Sequence, residues 1–213
     1  MLENALLQIL AKVQFFSGCS IFLDASHFVS GSEHLGSFYG LVRKYLKTLS
    51  GRKRYNVLGA LNYATKEVHT VTNDTYITAT EVCEMLSKLA EYYRGRKIAL
   101  ILDNARYQKC KAVLNLAEQL KIELIFIPPY SPNLNLIERF WKFVKGELRK
   151  KFYDDFSEFR AAIDGIIASS VGENRVRVEK LIGEKVQLFD NLEQISEYVF
   201  KQREKSGEEK KAA

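Results

Sequence analysis

Two apolar runs that each close on an aspartate constrain this chain more than any other feature. The run SIFLD ends at Asp24, and the run KIALILD ends at Asp103. Both are too short for helices and read as strands. The second is apolar at nearly every position, as expected of a strand buried on both faces in the parallel part of a sheet. In open α/β sheets, ligands bind in the crevice beyond the carboxyl ends of the strands, so each acid is predicted at the C-terminal end of its strand. If the strands are neighbours, the two carboxylates converge. Like charges at that range call for a cation between them or a proton on one of them. Taken singly, either aspartate reads as an ordinary strand-end or helix-capping acid; only as a set do they point to a site.

The elements between and after them fall into a recognisable order. YNVLGALNY over 55–63 and KEVHTVTND from Lys66 predict two strands joined by a tight Ala64-Thr65 turn. TEVCEMLSKLAEYYR then reads as a helix capped by Thr78 or Thr80 and ended at Arg94-Gly95. A helix from about Lys109 to Leu120 leads into the strand IELIFI, and a strongly patterned helix runs from about Asn135 to Lys150. The expected fold class is α/β: a ribonuclease H-like mixed sheet, an antiparallel hairpin feeding a parallel βαβ section, with helices on both faces and a C-terminal helical appendage. The chain divides into a lead-in helix over 1–19, a catalytic domain over 20–151, a helical extension over 152–203 and a polar tail over 204–213 with the composition of disorder. The extension holds FSEFRAAIDGIIASS and LEQISEYVFKQ, which either pack on the core or mediate dimerisation.

Composition narrows the function classes. With 213 residues, 46% of them hydrophobic, the chain can bury one good core but not two. A net charge of +6 and a pI near 9.1 favour a polyanionic partner. Cys19, Cys83 and Cys110 stand at unrelated spacings, which gives neither a disulfide framework nor a zinc site and fits a reducing cytoplasm. No apolar run reaches the roughly 18 residues of a membrane span, and acidic Glu3 stands where a signal peptide would be basic. A cytoplasmic, nucleoid-associated protein is expected.

Glu138 joins the two aspartates by helix geometry. At about 100° per residue, Ile137, Trp141, Val144 and Leu148 form one apolar stripe, with Glu138 on its rim. On nearly the same bearing stand Lys142, Lys145 and Arg149, so one face carries a carboxylate followed by a basic ladder suited to a metal and then phosphates. The plainer reading is a solvated Glu-to-Lys pair worth about 0.3–0.5 kcal/mol. A second basic stretch runs from Arg43 to Arg54, without an acid. Its Arg52, Lys53 and Arg54 are candidate phosphate contacts, set against a simple solvated loop. Phe38, Tyr39 and Trp141 read as core residues.

All three prolines, Pro128, Pro129 and Pro132, stiffen the crossing from the IELIFI strand into the Glu138 helix. In three motifs, FLDASHF, LILDNARYQK and PPYSPNLNLIERFWKFVK, over roughly Ser20 to Lys151, the chain resembles the DDE transposases of the mariner-like superfamily, in their bacterial and archaeal insertion-sequence branch. The 34 residues between the second and third acids are the spacing of that superfamily.

The resemblance implies that Asp24, Asp103 and Glu138 are a catalytic triad holding two divalent cations, Mg²⁺ or alternatively Mn²⁺. Together they would support strand cleavage at element ends and joining of the freed 3′ hydroxyls to target DNA. Asn104 matches the family's Asp-Asn pair and would orient Asp103 or touch a phosphate, where an Asx turn is the local alternative. The pattern is broken at Ala25, where many relatives carry glutamate, and at Gln108, where many carry histidine. His27 is read as packed or hydrogen-bonded rather than as a substitute, and His34 and His69 as surface or strand residues. Only about twenty residues precede the first strand, so the helix-turn-helix that reads element ends in relatives is expected from elsewhere. Expected partners are double-stranded DNA, as element ends and target, a separately encoded helix-turn-helix subunit and a second copy of the chain. Two other functions compete: another ribonuclease H-like nuclease, and an inactive remnant that only binds DNA or a partner chain.

Overall fold

The computed structural model describes residues 16–30, 53–127, 135–151 and 153–183. Residues 1–15 of the lead-in segment, most of the basic stretch including Arg52, the proline crossing, LEQISEYVFKQ and the tail lie outside the described residues, as do His34, Phe38 and Tyr39.

Five strands form one mixed sheet: β1 (Cys19–Val29), β2 (Arg54–Asn62), β3 (Val68–Asn73), β4 (Ile98–Leu102) and β5 (Ile122–Phe126), in the order β3-β2-β1-β4-β5. The hairpin β2-β3 is antiparallel and turns at 63–65, and β2 also pairs antiparallel with β1. β4 lies parallel to both β1 and β5. The helices are α1 (Ala79–Tyr92), α2 (Lys111–Gln119), α3 (Leu136–Leu148), α4 (Phe156–Ala168) and α5 (Arg175–Gly183). Both faces of the sheet are covered, as expected for strands apolar at every position. Ile21, Leu23, Leu58, Leu100 and Leu102 pack with Val82, Met85 and Leu86 of α1 and Val113 of α2. Phe22, Phe28, Val57 and Ile101 pack with Ile137, Phe140, Trp141 and Val144 of α3 and with Phe159, Ile163 and Val178 of α4 and α5. The described part of the extension therefore lies on the core.

One expectation needs correction. Asp24 does not end its strand: β1 runs five residues further, to Val29. The apolar run stops at Asp24 because the parallel ladder with β4 stops at Leu23↔Leu102, whereas the antiparallel ladder with β2 continues to Val29↔Arg54. With one neighbouring strand gone, hydrogen bonding still favours extended backbone while side chains need no longer be apolar.

Local chemistry fixes the element ends. Thr78 caps α1 in a reciprocal capping box with Glu81, and the chain leaves that helix through Gly95 at φ +80°, a left-handed conformation that costs glycine little. Among the described residues no helix is long and apolar enough to cross a membrane.

Candidate active site

Asp24 and Asp103 are level with each other. Each follows the last parallel pair, Leu23↔Leu102, by one residue. Side chains alternate along strands, and Phe22 and Ile101, two positions back from the acids, both belong to the apolar layer beneath α3. Asp24 thus lies on the sheet face covered by α3, which carries Glu138 in its first turn, and Asp103 stands beside it, one residue past the end of β4. The start of α3 is tied to this point: Asn135 Nδ2 donates to the Leu23 carbonyl at 3.1 Å, across 112 residues of sequence. The stripe read from the sequence is buried, with Ile137, Val144 and Leu148 at 0% exposure and Trp141 at 4%. Glu138 sits half-buried on its rim.

The charges of Asp103 and Glu138 both reach Asp24. The Asp24 carboxyl is pushed up to about 7, first by burial and further by the charges of Asp103 and Glu138, while the Ala25 backbone N–H and the Trp141 side chain work in the other direction. Glu138 is raised by burial and by Asp103, against the pull of Lys142. The Tyr107 hydroxyl, pushed up to about 12 by burial and by the charges of Asp103 and Asp24, marks the far side of the same patch. A cleft of about 300 Å³ opens here, lined by Asp24, Ser26, His27, Glu138, Lys142 and Lys145 among others. Its donors are hard carboxylate oxygens, the chemistry that Mg²⁺ and Mn²⁺ take. As they stand, no three His, Cys, Asp or Glu side chains among the described residues are gathered closely enough to form a metal cluster. Any shared ion would have to draw the acids inward.

Of the basic candidates, Lys142 and Lys145 stand at the cleft beside Glu138. Arg149 is exposed beyond the end of α3 and does not line the cleft. Arg54 pairs with Val29, five residues along β1 from Asp24 and so about 16 Å away. Lys53 lies over the Phe156 ring at the start of α4. Asn104 donates to the Ile127 carbonyl, and the Asx turn belongs instead to Asp103, whose Oδ1 accepts from Ala105 N at 3.1 Å. Gln108 is fully buried, and neither amide atom meets a partner at full hydrogen-bond geometry.

His27 bonds across the hairpin rather than toward the acids. Its Nδ1 lies 2.6 Å from Asn56 Oδ1. Asn56 Nδ2 donates to Asn73 Oδ1 and to the Thr75 carbonyl, which leaves its Oδ1 as the acceptor and places the proton on His27 Nδ1. His69 is a strand residue, its Nε2 3.1 Å from the Tyr93 hydroxyl. Sequence reading missed Asn56, Asn135 and Gly59, whose roles depend on register and long-range approach rather than on any local pattern.

Comparison with known proteins places the chain in a family and a fold. The family model described as DDE superfamily endonuclease matches residues 20–160. A curated relative, the insertion element IS630 uncharacterized 39 kDa protein of Shigella sonnei, is 31% identical over 101 residues, covering 47% of this chain and 29% of its own length. The chain thus spans less than a third of that relative. Among solved structures, the Mos1 transposase paired-end complex with left transposon end superposes with TM-score 0.59 at 16% identity, over 86% of this chain and 61% of that one. The Mos1 transposase catalytic domain with raltegravir and Mn gives TM-score 0.57 at 15% identity, over 86% and 91%. At such identities the likeness establishes the ribonuclease H-like fold.

Proposed function

The chain belongs to the DDE superfamily endonuclease family, and we propose that it is the catalytic part of an insertion-sequence transposase, cutting DNA strands and transferring the freed 3′ ends with Asp24, Asp103 and Glu138 as its catalytic residues. The observation that supports this reading is the neighbourhood of three acids from two paired parallel strands and one helix: Asp24 and Glu138 line one cleft, Asp103 follows the same strand pair as Asp24 by one residue, and Asp24 feels the charge of both. Ordinary strand-end acids would have no reason to share a sheet face with a helix-borne glutamate that is itself half-buried.

A divalent cation is proposed as the resident cofactor, two Mg²⁺ ions with Mn²⁺ as a substitute, held by the three carboxylates. Bound there, the pair supplies activation of the attacking water or 3′ hydroxyl and stabilisation of the leaving oxygen. The Mn in the similar Mos1 catalytic domain supports a divalent ion. The protein's own part is to hold the acids in place: Asp103 through its turn to Ala105, Asp24 by burial against α3, and Glu138 by the tie from Asn135 to β1. Lys142 and Lys145 extend the cleft with positive charge for DNA phosphates, with Arg149, Lys53 and Arg54 as outlying contacts and Arg52, outside the described residues, as a further candidate. Asn104 supports the site by fixing the end of β5 beside Asp103. A helix-turn-helix subunit that reads the element ends is a proposed partner. A second copy of the chain is the other proposed partner.

The test is a nicking assay on duplex DNA with Mg²⁺ or Mn²⁺, comparing wild type with Asp24→Asn, Asp103→Asn and Glu138→Gln. Each variant is expected to lose more than the about 10–100-fold that loss of an outer partner costs a metal site. Metal-dependent nicking that survives all three substitutions would remove these acids from the reaction.

A further inference from the structure

Trp141 is the single tryptophan of the chain, and its position is not explained by packing alone. It is 4% exposed, meets Phe28 edge-on at 6.1 Å and 79°, and lines the cleft with Asp24 and Glu138. Its indole Nε1 is sealed from solvent and meets no partner at full hydrogen-bond geometry. A buried N–H left unpaired is costly, so the atom calls for an acceptor close by. The ring lies over Gly59: a Cβ there would come within 2.5 Å of Cζ2 and 2.7 Å of Cη2. Gly59 is the residue paired with Asp24 across β1 and β2. Strand register, ring placement and the missing side chain at Gly59 therefore bring the indole to the Asp24 position. The Trp141 side chain also favours the ionised form of Asp24.

We propose that Trp141 is a positioning residue for Asp24: its indole N–H is the donor that orients the Asp24 carboxylate for the shared site, and Gly59 is the gap in β2 that admits the ring. The catalytic consequence rests on the nuclease reading above; the hydrogen bond itself does not.

Because the chain has one indole, a ¹H–¹⁵N spectrum of the full-length, metal-free protein shows one indole cross-peak that reports this contact alone. Asp24→Asn is expected to move that peak upfield, since the acceptor loses its charge, and Asp103→Asn to move it less. Gly59→Ala should displace the ring and shift the peak as well. In the nicking assay, Trp141→Phe keeps most of the ring volume but removes the donor. It is expected to lower kcat about tenfold or more, the effect of a lost hydrogen bond to a charged group, with KM for DNA within about twofold. An indole peak unmoved by Asp24→Asn, or a Trp141→Phe enzyme with wild-type kcat, overturns the proposal. Should Trp141→Phe fail to fold, the spectrum of Asp24→Asn decides, because it retains the native ring. A moved peak in a protein that cuts no DNA would sink the catalytic reading and still support the contact; cutting with an unmoved peak would do the reverse.

Discussion

At neutral pH a carboxyl enclosed like Asp24 is close to half protonated, because burial and two neighbouring acids push it up to about 7 from an ordinary 3.8. The sign of the linkage follows. Since the folded protein holds this proton more tightly than the unfolded chain, the stability that goes with protonated Asp24 is fully present below about pH 3.8 and is lost as pH rises through about 7. In the metal-free protein the ionised group therefore costs stability at pH 8, on the order of 4 kcal/mol at most. Asp24→Asn should raise the melting temperature more at pH 8 than at pH 5, with the gain vanishing only towards about pH 3.8, as thermal denaturation across these values would show. A divalent cation competes with that proton, so the rise in melting temperature on adding Mg²⁺ should be larger at pH 8 than at pH 6. An equal rise at both would place the ion away from Asp24.

Among the elements, what could be read from sequence is what repeats locally. The apolar runs announced β1 and β4, the 3.6-residue stripe announced α3, and of the two threonines that could cap α1, Thr78 and Thr80, Thr78 does so. The length of β1 was not legible, because Ala25 to Val29 are kept extended by pairing with β2 and not by their own pattern. Nor was Gly59 legible as a site residue: its meaning comes from lying opposite Asp24 and beneath Trp141, a fact of register. Trp141 itself was legible as core, but not as a neighbour of the acid. Asn135, read only as the approximate start of α3, makes no capping bond with its side chain and instead reaches Leu23. Asn135→Ala should cost about 1–2 kcal/mol in denaturant unfolding and lower nicking further than its stability loss explains, because it frees the end of α3 that carries Glu138. Thr78→Ala removes a cap far from the cleft. It should cost about 1 kcal/mol with nicking unchanged, a contrast that separates general stability from site positioning.

For the whole molecule, the sheet brings Asp24 and Asp103 to the point where the β1–β4 ladder stops, and α4 and α5 pack into the same apolar layer as α3. Tyr55 of β2 donates to Asp164 of α4, and Arg160 of α4 pairs with Asp74 after β3, so the helical extension is fastened to the hairpin. The basic excess is distributed, with Lys142 and Lys145 at the cleft and Arg54 about 16 Å along β1. Such a layout suits a duplex lying along the strand direction. Lys142→Ala with Lys145→Ala should weaken DNA binding similarly on all sequences and flatten its salt dependence by one to two phosphate contacts' worth, about 0.9 in log–log slope for each. The central claim, however, is that three carboxylates from separate elements act as one cation site. Calorimetric titration of the metal-free protein with Mn²⁺, in wild type and in Asp24→Asn, Asp103→Asn and Glu138→Gln, tests it most directly. Each single substitution is predicted to weaken binding at least about tenfold; Mn²⁺ binding of equal strength in wild type and in all three variants would contradict the shared site.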